Sequence, residues 1–136
     1  MFSSSDSETS AHIALGRLGE KLAAKYLREH DFKILHRNFR APKGGEVDIV
    51  CRDKSSHTLV FVEVKTRSTA RFGAPSEAVT PEKQHLISRG ALAWLRMLDN
   101  PDIYFRFDIV EVLVEESGTS VSLIRDAFQL SEPYIY

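Results

Sequence analysis

The chain of 136 residues has a single cysteine, Cys51, and its five histidines show no H-x-x-x-H spacing. An internal disulfide is therefore excluded, and a thiolate or imidazole zinc site is not expected. A reducing compartment is the natural reading. Nowhere do apolar residues run long enough to cross a bilayer, and the opening MFSSSDSETS has no basic start followed by an apolar core. Neither a membrane span nor a secretory signal is expected, so the expected location is cytoplasmic, with no membrane partner. Internal repeats and low-complexity segments are also lacking. What remains, at 43% hydrophobic and 27% charged residues, describes one ordinary globular domain large enough to bury a core. Residues 1–10, with five serines and no periodicity, are expected to form a disordered tail, and residues 11–136 the domain.

The net charge of −1 hides an uneven distribution. Lys33 to Gly73 holds nine basic residues against four acidic ones, a balance of +5. Asp99 to Tyr136 holds two basic against eight acidic residues, a balance of −6. Such asymmetry marks a polyanion-binding face when the fold gathers the cations, and is only loop chemistry when it does not.

Hydrophobic spacing gives the order helix, three strands, helix, two strands. From Ala11, Leu15, Leu18, Leu22 and Tyr26 recur at threes and fours, with Ser10 as N-cap and the end near His30 and Asp31. Gly16 and Gly19 inside this helix each cost roughly 1 kcal/mol against alanine, which points to close packing. DFKILHRNF reads as a strand leading into a Pro42, Gly44, Gly45 turn. Thr80 and Pro81 announce a second helix ending at residues 99–101, with Ile87, Ala91, Trp94 and Leu98 as its apolar stripe. Residues 103–115 read as a long strand, and SVSLIRDAF after Gly118 as a last one.

The unusual stretch is GGEVDIVCRDKSSHTLVFVEVKTR, residues 44–67. Strand residues alternate faces, so Val60, Val62 and Val64 form a core side while Leu59, Phe61, Glu63 and Lys65 share the other. A hairpin closed by residues 53–58 pairs 52 with 59, 50 with 61, 48 with 63 and 46 with 65. Asp48 then stands opposite Glu63, and Glu46 opposite Lys65. Two opposed carboxylates repel, and a Mg²⁺ or Mn²⁺ ion between them reverses the sign of the interaction.

The spacing Asp48, fourteen residues, then Glu63-Val64-Lys65 resembles the PD-(D/E)xK site of restriction-endonuclease-like nucleases, with Val47 where the motif has proline. In their order, GRLGEKLAAKYLREHDFKIL, RNFR, GGEVDIV, VFVEVKTR, FGAPSEAVTPEKQ and RFDIVEV resemble the YraN family of small bacterial endonuclease-like proteins. The resemblance implies an α/β fold, a restriction-endonuclease-like mixed β-sheet flanked by α-helices. It also implies a divalent metal, Mg²⁺ or Mn²⁺, held by Asp48, Glu63 and the Val64 carbonyl, with Glu20 of the first helix joining the shell. Lys65 would orient the attacking water or counter charge on the phosphate, so Asp48, Glu63, Lys65 and Glu20 are the catalytic candidates.

DNA is the expected partner. Its contacts are sought in the run Arg37, Arg40 and Lys43, in Arg67 and Arg71 after the acidic strand, where arginine forks match phosphate oxygens, and in Lys83 of the second helix. Branched DNA would need two sites, hence a homodimer. From spacing alone, a solvated strand face accounts for Glu63 and Lys65, and an exposed glutamate for Glu20. Trp94 reads as core, and Arg106 with Asp108 as a simple pair. A metal-dependent nuclease acting on branched or damaged DNA leads; a non-catalytic nucleic-acid-binding module and a protein-interaction domain stay open.

Overall fold

The computed structural model describes the backbone of residues 4–68 and 79–136, and side chains from residue 10 onward within those spans. Its elements are α1 (Ser4–Glu29), β1 (Phe32–Arg40), β2 (Glu46–Asp53), β3 (Thr58–Arg67), α2 (Pro81–Met97), β4 (Phe105–Glu115) and β5 (Gly118–Phe128). This is the expected order. The strands form one sheet in chain order; β3 and β4 run parallel and the other neighbours antiparallel. The parallel pair needs a long crossover, and α2 lies within it.

The two faces of the sheet carry separate cores. Phe39, Val50, Phe61, Phe107 and Ile109 pack with Ile87, Ala91 and Leu95 of α2. Ile49, Val60, Val62, Val110 and Val112 pack with Ala23, Ala24 and Leu27 of α1. Alternation along β3 and β4 thus feeds one helix with odd positions and the other with even ones. Each fully buried aromatic or branched side chain contributes about 2 kcal/mol through lost water contact.

Helix α1 departs from expectation in two respects. It starts at Ser4 rather than Ala11, so Ser10 lies inside it instead of capping it. Its buried face is Gly19, Ala23, Ala24 and Leu27, whereas Leu18 is 40% exposed. Small residues own the contact because the helix lies close on the sheet: a Cβ at Gly19 would stand 1.8 Å from Oγ1 of Thr66 in β3.

Helix α2 begins as expected, with the Thr80 hydroxyl accepting the Lys83 backbone N–H at 3.2 Å and proline in its first turn. Leu98 of the expected stripe is half exposed, and Leu95 takes its place in the core. Gly45 and Gly90 let the start of α2's second half sit directly on the β1–β2 turn: a Cβ at Gly45 would lie 2.5 Å from the Gly90 nitrogen. That contact brings α2 against the N-terminal end of β2.

Among the described residues no helix is long and apolar enough to cross a membrane.

Candidate functional site

The β2–β3 hairpin holds the expected register from Asp53 opposite Thr58 to Ile49 opposite Val62. There the paired ladder stops. Val47 belongs to the core under α2 and Ile49, two residues on, to the core under α1, so regular alternation breaks at Asp48. Beyond the break the Asp48 carboxylate itself accepts the Val64 backbone N–H at 2.8 Å, replacing a ladder bond with a side-chain bond. The expected opposition of Glu46 and Lys65 is lost with the ladder. Glu46 instead receives Arg40 and Lys83.

A cavity of about 480 Å³ opens at this end of the sheet, between α1 and the strands. Asp48, Glu63, Val64, Lys65 and Glu20 all line it, so the fold gathers every residue proposed for metal and catalysis around one cavity. Glu63 is 5% exposed. Burial, followed by the charge of Asp48 and a hydrogen bond between the two carboxyl groups, pushes the Glu63 carboxyl up to about 8. The Lys83 ammonium, 3.9 Å from Glu63 Oε1, opposes that shift without cancelling it.

Lys83 is therefore placed differently from a surface DNA contact. It reaches from the first turn of α2 into the strands, where it is hydrogen-bonded to Glu46 and close to Glu63. Burial disfavours its charge, but Glu46 and Glu63 outweigh that and raise its pKa. Glu46 is correspondingly lowered: burial works against ionisation, and Lys83 and then Arg40 overcome it. Lys83 is a half-buried cation held by Glu46 and close to Glu63.

The remaining basic candidates divide by exposure. Arg37 stands 4.0 Å from Glu20, and Arg40 is largely exposed beside Glu46. Lys43 is exposed in the β1–β2 turn, where its carbonyl accepts from Arg89. Arg67 is mostly buried, with Nε 3.4 Å from Glu111 Oε2. Arg71 lies outside the described residues. Sequence reasoning did not single out His12, Arg17 or Asn38, which also line the cavity. Asn38 has φ 55, a left-handed conformation that asparagine tolerates better than most residues. Its side-chain type was the only available signal.

As a metal ligand set the residues give two adjacent carboxylates and the neighbouring Val64 carbonyl. Among the described residues no group of three or more His, Cys, Asp or Glu side chains is placed to hold a metal ion. Glu63 is buried beside the half-buried Asp48, and burial first, then the Asp48 charge, raises its carboxyl.

The five-stranded mixed sheet between two helices is an α/β fold consistent with a restriction-endonuclease-like fold. Residues 19–112 match the family described as "Uncharacterised protein family UPF0102". A UPF0102 protein of Geobacter sulfurreducens is 49% identical over 118 residues, covering 86% of this chain and 90% of that protein. One from Geobacter metallireducens is 46% identical, covering 87% and 94%. One from Syntrophus aciditrophicus is 42% identical, covering 88% and 92%. The chain belongs to UPF0102, the YraN family that its motifs resemble.

Proposed function

We propose that this protein is a divalent-metal-dependent nuclease that hydrolyses DNA phosphodiester bonds. The observation carrying the proposal is the pair of carboxyls, buried Glu63 and half-buried Asp48, meeting in a cavity that Lys65 and Glu20 also line. Asp48, Glu63 and the Val64 carbonyl would hold Mg²⁺ or Mn²⁺, with Glu20 reaching the shell from α1. Such an ion supplies Lewis acidity at the phosphoryl group and a bound water of lowered pKa.

The chain's own groups do the rest. Lys65, two residues after Glu63, directs its ammonium to the water and to a phosphate oxygen, steadying the charge that builds there. Lys83, clamped by Glu46, holds the Glu63 side chain from behind. Exposed Arg40 and Lys43 offer phosphate contacts at the β1–β2 turn. Branched or damaged DNA is the proposed substrate, acted on by a homodimer. A second reading, a binding module without turnover, is favoured by the lack of a third converging ligand side chain among the described residues.

Single-turnover cleavage of labelled DNA, with enzyme above substrate, tests the proposal because product release drops out of the rate. Lys65→Ala should keep its fold and DNA affinity while cleavage falls by on the order of a hundredfold, the scale of losing a positioned catalytic group. Equal cleavage by wild type and variant would identify a contaminant and favour the binding module.

A further inference from the structure

His12, Ile13, Gly16, Arg17 and Glu20 of α1 all line the acidic cavity. Steps of one, three, one and three put these residues on one side of the helix, with Gly16 in the middle, Arg17 next to it and His12, Ile13 and Glu20 a turn away. Glycine inside a helix normally answers to a close neighbour or to a backbone angle that other residues avoid. Gly19 answers to the first, since Thr66 leaves no room for a Cβ. Gly16 answers to neither. It lies within continuous helix, its φ is not in the positive range, and a Cβ built on it meets no described atom outside the local helix backbone within 4 Å. Alanine would fit there and favour the helix, so the described residues give no packing reason for the missing side chain.

The cavity gives one. We propose that Gly16 is a notch in the α1 wall through which the sugar–phosphate backbone of a DNA strand passes against bare main chain, making Gly16 a substrate-positioning residue. The inference rests on the nuclease reading above and deepens it by saying where the strand lies. His12 and Glu20 stand one turn to either side of the notch, and the Arg17 side chain beside it supplies a phosphate-matching fork. Asn38 of β1, with its left-handed backbone, lines the same cavity and offers an amide to the strand. A methyl group at position 16 would stand between the strand and the helix and shift the phosphate relative to the acidic floor. Displacing a reacting phosphate by about 1 Å is enough to slow a positioned reaction on the order of a hundredfold.

The test compares wild type, Gly16→Ala and Gly16→Leu in the full chain by three readouts: Tm, DNA affinity in Ca²⁺, and single-turnover cleavage in Mg²⁺. Gly16→Ala should raise Tm by about 3 °C, because alanine is the better helix former. It should nevertheless weaken affinity and slow cleavage by about tenfold, and Gly16→Leu by about a hundredfold. A raised Tm with unchanged affinity and cleavage would overturn the notch while leaving the nuclease reading intact. A lowered Tm for Gly16→Ala would make the glycine structural and also overturn it. Wild-type protein without DNA affinity would overturn both.

Discussion

The most heavily bonded side chain in the described structure is Asp53, at the far end of β2 from the acidic cavity. Its Oδ2 accepts from Arg106 at 3.0 Å and Arg125 at 2.9 Å, and its Oδ1 from the Ser55 backbone and hydroxyl at 3.1 and 2.7 Å. Arg106 also donates through Nε to Asp108 at 2.9 Å, and both guanidinium groups lie over the Phe32 ring. Burial works against the Asp53 charge, but the bonds from Ser55, Arg106 and Arg125 prevail and hold its carboxyl far below the usual range. A depressed carboxyl stabilises the fold above its unfolded pKa of 3.8 and loses that contribution as pH falls toward the folded value. Asp53→Asn should therefore cost about 3 kcal/mol at neutral pH, since two arginines lose their shared carboxylate. Urea unfolding at pH 7 and again below about pH 4 checks this, and the gap between wild type and variant should shrink in acid. A constant gap would mean that packing rather than charge sets the loss. Of this network only the Arg106 and Asp108 pair was legible in the sequence, because i and i+2 share a strand face. The link to Asp53 joins positions 53 apart and needs the sheet to exist.

At the scale of the element, α1 shows how a correct helix can carry a wrong face. Leucines at 15, 18 and 22 draw attention because they are the most apolar residues, yet burial went to Gly19, Ala23 and Leu27. Close approach of a helix to a sheet selects small side chains at the line of contact and leaves larger ones to flank it. Gly19→Ala should cost about 2 kcal/mol, as its methyl group would press on both Oγ1 and Cβ of Thr66. Adding Thr66→Ala should recover part of that loss, so thermal melts of both singles and the double would show coupling. Strictly additive losses would mean that α1 shifts as a body to admit the methyl group. The same element bears Glu20 and Gly16 on the cavity, which makes its seating a functional matter as well as a structural one.

Over the whole molecule, the two ends of the sheet divide the work. Asp48 and Asp53 are five positions apart on β2, about 17 Å at strand rise. The Asp53 end satisfies its charges internally, while the Asp48 end leaves two carboxyls facing each other. A cation that fills the second end should then stabilise the entire fold by mass action. Millimolar Mg²⁺ or Mn²⁺ is expected to raise Tm by about 3 °C or more. Asp48→Asn should abolish the rise with little change in the metal-free Tm, because the asparagine carbonyl still accepts from the Val64 N–H and no charge is left beside the Glu63 carboxyl. Differential scanning calorimetry with and without EDTA is the measurement. An equal rise in the variant would put the metal elsewhere.

The order of elements, the Thr80 cap, the register of the β2–β3 hairpin near its loop and the family all followed from the sequence, because each depends on local spacing or on motif. Alternation fixes which residues of β3 share a face, and a helix cap is a matter of three adjacent residues. The rest depended on distance between segments. Lys83, read as a DNA contact or a water-facing residue, is a half-buried counter-charge beside Glu46 and Glu63, where Gly45 and Gly90 let α2 settle against β2. Arg67 was expected at phosphate and packs against Glu111, which only the parallel pairing of β3 with β4 brings alongside. The break at Asp48, which turns a regular hairpin into an acidic cavity, has no signature in residue type; it arises where two cores on opposite faces compete for Val47 and Ile49.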